Sequence, residues 1–476
     1  MDELIRMSAI DVVARLKRRD VSPLELVEWL AQRIETVDGK VNAIPTRCYD
    51  RARRQAGAMM DRSDPGDRRG WLAGLPMPVK DNNDVGGVVT TQGSPLFADF
   101  VPARSDNTVA TLEANGAIPI GKSNIPEFAG ANTFNTVFGA TRNPWDLRLS
   151  AAGSSGGAAA ALASGQAWLA NGNDLGGSLR QPASFCGVLG LRPSPGRVPR
   201  KAAALPFDPL WVEGPMARNV PDLALMFDAM CAENLDDPLT MKPPAKPWVE
   251  AVREPAGPRR VAFSPDLGIV PVEPEIKAIC RDSALRHFRA IGATIEEACP
   301  DFSGALEAFQ ILRAALIATA LGNLLPSQRN RIKPDIVWNI EKGLTQTADD
   351  LILAERTRQR LYHGVSSFFE SFDLLVCPAT PLAPFPVEIN FPEVIDGVRS
   401  QTYIDWIGIC FAVTLTSCPV IAMPAGFTAS GLPVGFQLIG RPRGEAALLG
   451  AAALLEQATG LDRHVPIEPR GSAVPV

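Results

Sequence analysis

Histidine is the scarcest chemical resource in this chain, with three in 476 residues, and its scarcity removes whole classes of mechanism. His287 and His363 fall in stretches of helical periodicity and His464 lies near the C-terminus, so all three read as surface or packing residues. No HExxH and no paired Cys or His spacing is present, which leaves no metal site to propose. Eight cysteines occur without a single C-x-x-C pair and often in apolar text such as LLVCPAT, so they read as reduced core thiols of a cytoplasmic protein. Basic charge is also in short supply: a net charge of −5 gives no electrostatic footprint for nucleic acid. The most apolar stretches, such as Ala314 to Leu321, fall short of the roughly 20 residues that span a bilayer. The opening MDELIRMSAID lacks the basic-then-apolar pattern of a secretory signal.

What remains is a globular composition, 46% hydrophobic and 21% charged, long enough for two or three average domains or one oversized body. The N-terminal segment, about 1–65, is helical text. Ser8 can cap a short helix bearing Ile10, Val13 and Leu16, and Ser22-Pro23-Leu24-Glu25 is a capping box with proline at the first helical position. From about residue 70 to 230 short apolar runs (LAGLPMPV, GAIPIG, VLGLRPS) alternate with Gly-, Pro- and Asn-rich turns, the pattern of buried strands joined by functional loops. The Pro-rich stretch 233–260 reads as a surface excursion rather than a domain linker. Beyond it, Glu273 to Ala293, Ala348 to Phe372 and Gly444 to about Thr459 have helical periodicity, while FDLLVCPATP, PVIAMPAGF and GLPVGFQLIG read as strands. Strands and helices alternate over the whole length, which predicts one α/β layered body.

Two strings imitate known motifs. Gly116 to Ser123 matches the phosphate-loop pattern GxxxxGK[ST], but Ala117 to Ile120 themselves look like the strand, and Pro126 interrupts the helix that should follow. Gly153-Ser154-Ser155-Gly156-Gly157 matches the nucleophile elbow G-x-S-x-G with Ser155 as nucleophile, yet NPWDLRLSAA before it is a poor buried strand and no histidine follows at a suitable place. A third arrangement fits better. Ser154 and Ser178 each lie in a glycine-flanked turn, and Lys80 ends the buried run Leu75-Pro76-Met77-Pro78-Val79. A serine hydroxyl needs a base, which an uncharged lysine can be. Gly176 and Gly177 let backbone N–H groups approach an oxyanion.

These segments resemble the amidase signature family. GSSGG, GNDLGGSLRQPASFCGVLGLRPSPGRV and GLPMPVKDNNDV match its signature and lysine motifs, and GKSNIPEF, FGATRNPWD, GPMARNVPDLALM and PAGFTASGLPVGFQLIGRPRGE extend the match over nearly all of the chain. The resemblance implies a mixed central sheet covered by helices on both faces, no cofactor, and a relay in which Lys80 is the base. Ser154, placed after a cis peptide from Gly153, is the bridge, and Ser178 is the acyl nucleophile. It further implies an oxyanion hole from the N–H groups of Leu175, Gly176, Gly177 and Ser178, bracing by Asp174 and Arg180, and substrate contacts along Gly130-Ala131-Asn132-Thr133 with Phe134 as a wall. Ala152, Ala158 and Asn173 depart from the commonest family residues and point to altered substrate preference. Within the variable region, about 300–412, Phe309, Leu312, Trp338, Tyr403 and Trp406 suit an apolar or aromatic acyl group.

The implied activity is hydrolysis of a small-molecule amide, with a carbamate as the alternative substrate and a homodimer as a possible assembly. The wording GND and GATRNPW leans toward bacterial hydrolases of xenobiotic amides, nylon oligomers among them. A reading of another class is the glutaminase-type subunit of a tRNA-dependent amidotransferase. SLRQPASFCG is shared with that branch, but 315–323 reads ALIATALGN where N-L-x-R-Y-D-G-x-R-Y-G is expected.

Overall fold

Capping sets the N-terminal helices as the sequence predicts. Ser8 accepts the Asp11 N–H to start α1 (Ala9–Arg18). Ser22 and Glu25 form the reciprocal box that opens α2 (Pro23–Val41), satisfying N–H groups that have no partner within the helix. The computed structural model describes residues 3–60, 66, 68–201 and 205–475; residues 1, 2 and 61–65 of the expected N-terminal helical segment lie outside them. A small sheet follows, β1 (Thr46–Arg47), β2 (Pro76–Lys80) and β3 (Ile118–Ser123), with β3 in the middle, antiparallel to β1 and parallel to β2. The phosphate-loop string is therefore strand β3. Lys122 is fully buried, donating to Asn83 O and Thr90 Oγ1.

The main sheet has eight strands: β4 (Leu169–Asp174), β5 (Leu189–Arg192), β6 (Val212–Ala217), β7 (Arg260–Phe263), β8 (Thr294–Glu297), β9 (Leu374–Pro378), β10 (Val420–Phe427) and β11 (Pro433–Gly440). Their order is β8-β7-β9-β11-β10-β5-β6-β4. The β8-β7-β9 edge is parallel and every other pairing antiparallel. This is a mixed α/β fold in a single domain. Strands β6 and β7 flank the Pro-rich stretch yet lie in one sheet, and Trp248 within that stretch stacks on Phe227 with ring centroids 4.9 Å apart. The stretch is an excursion held to the core.

Strands β5, β6, β9 and β11 are buried along their whole length, as expected of a sheet covered on both faces. Helix α3 (Gly156–Ala163) is buried at every residue, which its GGAAAALA sequence permits. A Cβ on Gly157 would lie 2.3 Å from Asn124 N, so glycine is required for this close approach. The other helices used below are α4 (Arg180–Cys186), α5 (Val220–Met230), α6 (Pro274–Ala290), α7 (Ala305–Leu321), α8 (Pro334–Leu344), α9 (Ala348–Ser371), α10 (Gly408–Thr414) and α11 (Glu445–Thr459).

Two expectations need correction. The helical run Ala305–Arg331 is, by length and composition alone, long and apolar enough to cross a membrane, because α7 continues through short turns past the Ala314–Leu321 stretch. In this fold Phe309, Leu312, Leu316 and Ile317 of that run are buried, and α7 packs on α8 and α9. Second, the cysteines are all free, but Cys299 is exposed rather than in the core.

Candidate active site

Three segments converge on one point. Lys80 is the last residue of β2, and its N–H donates to Asn171 Oδ1 on β4 at 3.0 Å, which ties the small sheet to the large one. Ser154 precedes α3, and the Gly153–Ser154 peptide is cis. A side chain at 153 has no room, since a Cβ there would meet Ala131 O at 2.2 Å. Ser178 lies in the turn from β4 to α4, half-buried, and lines one pocket together with Ser154, Gly153, Leu175 and Gly176.

Lys80 is 0% exposed, and its Nζ lies 2.8 Å from Ser154 Oγ, 2.8 Å from Ser155 Oγ and 2.7 Å from Asn173 Oδ1. Burial pulls its pKa from the ordinary lysine range down to about 7, against the opposing pull of the Glu213 and Asp174 carboxylates. An uncharged amine has two N–H donors and one lone pair. The Asn173 oxygen can only accept, and each serine hydroxyl can either donate or accept. With one N–H given to Asn173 Oδ1 and the other to Ser155 Oγ, the lone pair faces Ser154 O–H, and in that arrangement the amine can draw a proton from Ser154. The sequence pattern sets Ser155 aside as a nucleophile and gives no sign of this place for it. Ser155 is wholly buried behind the lysine, and the strand before it, Asp146–Ser150, is in a two-stranded hairpin outside the main sheet. None of His287, His363 and His464 lines the pocket.

The turn that carries Ser178 is held by Asp174. Its carboxylate receives both Arg180 Nε and Nη2 (2.9 and 2.8 Å), Arg192 Nη1 (3.1 Å) and the N–H groups of Gly177 and Leu179 (2.9 and 3.2 Å). Burial works against this charge, but the two guanidiniums outweigh it and hold the carboxyl well below its usual range. Arg180 also reaches Cys410 O, Thr414 Oγ1 and Gln437 Oε1, anchoring the turn to α10 and β11. The Gly177 N–H, expected in an oxyanion hole, is given to this carboxylate in the structure. Among the described residues the N–H groups of Leu175, Gly176 and Ser178 have no such bond, and they are the amides able to receive an oxyanion. Gly177 is needed for another reason: its φ is +118°, and a Cβ would meet Cys410 Cβ and Gln181 Nε2 at 2.6 Å.

Of the four residues expected along the substrate loop, only Ala131 lines the pocket, joined by Phe128 and Ala129. Gly130 lies against Ile336, and Asn132 donates to Asn390 O. Thr133 Oγ1 donates to Ala152 O and accepts the Gly156 N–H, so it braces the segment around Ser154. Phe134 is 46% exposed and stands outside the pocket. In the variable region Tyr403 and Trp406 line it as expected, with Arg313, Ile317, Ile404 and Ile407. Phe309 and Leu312 do not: Phe309 stacks on Phe411 behind Gly176. Trp338 is set edge-on against Tyr403 from outside. Ala152 and Ala158 are fully buried and line no part of the pocket, whereas Asn173 lines it and binds the lysine. A second cavity of about 400 Å³ adjoins, sharing Phe128, Trp211 and Ile317 with the pocket.

The family model named Amidase matches residues 25–449 of the chain. An acylamidase of Rhodococcus erythropolis is 34% identical over 454 residues, covering 94% of this chain and 95% of that protein. A glutamyl-tRNA(Gln) amidotransferase subunit of Moorella thermoacetica is 33% identical, with 98% of this chain and 99% of that one covered. Among solved structures, a bacterial aryl acylamidase of the amidase signature enzymes superposes with a TM-score of 0.89 at 27% identity, over 97% of this chain and 99% of the other. With the family model spanning most of its length, this chain belongs to the amidase signature family, hydrolases of carbon–nitrogen bonds.

Proposed function

We propose that the protein is a free-standing hydrolase of small-molecule amides that works through an acyl-enzyme on Ser178. The observation that carries this reading is the buried Lys80, its pKa brought down to about 7 and its Nζ 2.8 Å from the Oγ of Ser154, which lines one pocket with Ser178. Lys80 draws the Ser154 proton as Ser154 takes that of Ser178, and Ser178 Oγ attacks the amide carbon. The carbonyl oxygen, now negative, is received by the N–H groups of Leu175, Gly176 and Ser178. The relay then reverses: the proton on Lys80 passes through Ser154 to the leaving nitrogen, the C–N bond breaks, and ammonia or an amine departs. Water enters, gives a proton back along the same path, and attacks the ester to release the carboxylic acid and restore Ser178.

The lining favours an apolar or aromatic substituent. Phe128, Trp211, Ile317, Tyr403 and Trp406 wall the pocket. The pocket itself holds only about 40 Å³ beside the roughly 400 Å³ cavity, so the scissile group fits the narrow part and a larger apolar body the wide one. The acyl-serine chemistry serves carbamates equally. The test is a panel of primary amides, anilides, esters and carbamates assayed with wild type and Ser178→Ala. Turnover of anilides or aryl amides, lost in Ser178→Ala, is the expected result; an adduct of a fluorophosphonate mapped to Ser155 would overturn the nucleophile assignment.

A second reading is favoured by one observation, the 33% identity to an amidotransferase component over almost its full length. On that reading the chain hydrolyses glutamine and passes ammonia to a partner. Glutamine turnover that appears only with a co-purifying protein would establish it, and the Ala315–Asn323 text counts against it.

A further inference from the structure

Asn173 is a two-way bridge, and what stands on its far side is a carboxyl group. Strands β4 and β6 pair antiparallel with Asn173 directly opposite Glu213, a register that places the two side chains on one face. Asn173 Oδ1 accepts from Lys80 Nζ at 2.7 Å, while its Nδ2 donates to Asn82 Oδ1 at 3.0 Å and lies 3.4 Å from Glu213 Oε1. The same Oε1 accepts the Trp211 indole N–H at 3.0 Å. Glu213 is 1% exposed, and its Oε2 has no hydrogen-bond partner among the described residues.

A buried acid with a structural task is saturated, as Asp174 is by two guanidiniums and two backbone N–H groups. Among the described residues Glu213 has neither a guanidinium nor a backbone N–H on it, only the neutral Trp211 indole and side-chain amides, so its charge is poorly compensated unless a cation nearby makes use of it. The charge within reach across Asn173 is Lys80. Resting on the assignment of Lys80 as base, we propose that Glu213 is a positioning residue that acts through Asn173 to set the proton affinity of Lys80, holding the relay's base ready at neutral rather than acid pH.

The surroundings agree. Facing Glu213 are Lys80, then Asp106 and Asn83 from the loops beside β2 and before the helix Asn107–Ala114. Arg200, Lys201 and Asp208 line the cavity on its other side. Arg200 is paired to Asp237 at 2.9 Å and Lys201 to Asp84 at 2.6 Å. The wall from α7 contributes Leu316, Ile317, Ala320 and Leu321, none of them charged. Burial and Asp106 push the Glu213 pKa up toward neutrality, while the ionised carboxylate pulls that of Lys80 up. The two therefore compete for one proton near pH 7.

Removing the carboxylate leaves desolvation less opposed, so Lys80 stays uncharged to lower pH and the acid limb of activity moves toward acid. The experiment measures the rate of Ser178 modification by a fluorophosphonate against pH, with kcat/KM for an anilide alongside, in wild type, Glu213→Gln and Glu213→Asp. Glu213→Gln should move the acid limb down by about one pH unit, and Glu213→Asp should return it toward the wild-type position. An acid limb unmoved in folded Glu213→Gln overturns the proposal. If that variant does not fold, Trp211→Phe serves in its place. Loss of the indole donor disfavours the ionised carboxyl, so the limb should move the same way by less, and an unmoved limb again overturns the proposal. Mapping the adduct in wild type and testing Lys80→Ala separate the two levels. An adduct away from Ser178, or full reactivity without Lys80, defeats the relay itself. An adduct on Ser178 that depends on Lys80, with a limb indifferent to Glu213, defeats only the role of Glu213.

Discussion

A lysine can serve as a base at neutral pH only where its charged form is disfavoured, and Lys80 meets that condition by burial alone, since its nearest partners are neutral oxygens. The base must be uncharged to act, so kcat/KM should rise with pH through about 7, the value to which burial brings the amine. A rate that is flat between about pH 5.5 and 8.5 would contradict this. Lys80→Ala should lower kcat/KM by about 10²–10⁴. Lys80→Arg should do no better, because a guanidinium stays charged throughout this range. Ser155→Ala asks a sharper question. It removes one of the two acceptors of the neutral amine without touching Ser178, so the rate should fall about tenfold, the worth of one neutral hydrogen bond, while a fluorophosphonate still labels Ser178. Loss of labelling in Ser155→Ala would reinstate the elbow serine as nucleophile.

The turn between β4 and α4 shows how one element serves both catalysis and packing. Gly177 combines a φ of +118° with no space for a Cβ beside Cys410 and Gln181. Gly177→Ala must therefore shift the N–H groups on either side of it. The expected outcome is a loss of about 10²–10³ in kcat with destabilisation of about 1–3 kcal/mol, read by steady-state kinetics and by the midpoint of denaturant unfolding; an activity loss without any change in midpoint would mean that only the oxyanion geometry had moved. This turn was legible from the sequence, because Gly-Gly-Ser announces a tight approach of backbone to a reacting group. So were the capped N-terminal helices and the main-sheet strands β5, β9, β10 and β11, whose signals are local in the chain, whereas β4, β6, β7 and β8 were not read as strands. The pocket wall was less legible. Whether Phe309 lines the pocket or stacks behind Gly176 depends on how α7 is rotated against α10, and no local pattern carries a rotation. The partnership of Asn173 with Lys80 and Glu213 likewise depends on the register of β4 with β6 and on the docking of β2, contacts between residues far apart in sequence. Glu213 left no signal at all, being one acid at the edge of the ordinary strand text VEGPMA.

At the scale of the whole molecule, the Asp174 carboxylate is where the catalytic turn is fastened to the opposite end of the chain. Arg180, gripping Asp174, also holds the carbonyl of Cys410, the Thr414 hydroxyl and the Gln437 side chain, while Arg192 adds a bond to the Asp174 carbonyl at 2.6 Å. All three charged residues are fully buried. The carboxyl pKa is depressed in the folded protein, so its contribution to stability is complete above the unfolded value of about 3.9 and is lost as pH falls toward the folded one. Wild type should therefore lose stability progressively below about pH 4, the loss continuing toward the depressed folded value. In Asp174→Asn two guanidiniums would remain buried without their counter-charge, which should cost about 3–5 kcal/mol at pH 7, yet the part of the acid slope owed to this carboxyl should vanish. Thermal midpoints of the two proteins, compared at pH 7 and pH 3, measure both effects: the gap should be wide at pH 7 and narrower at pH 3. A gap that stays constant between the two would show that the carboxyl binds protons alike in the folded and unfolded protein, and so that the guanidiniums do not fasten the turn through its charge.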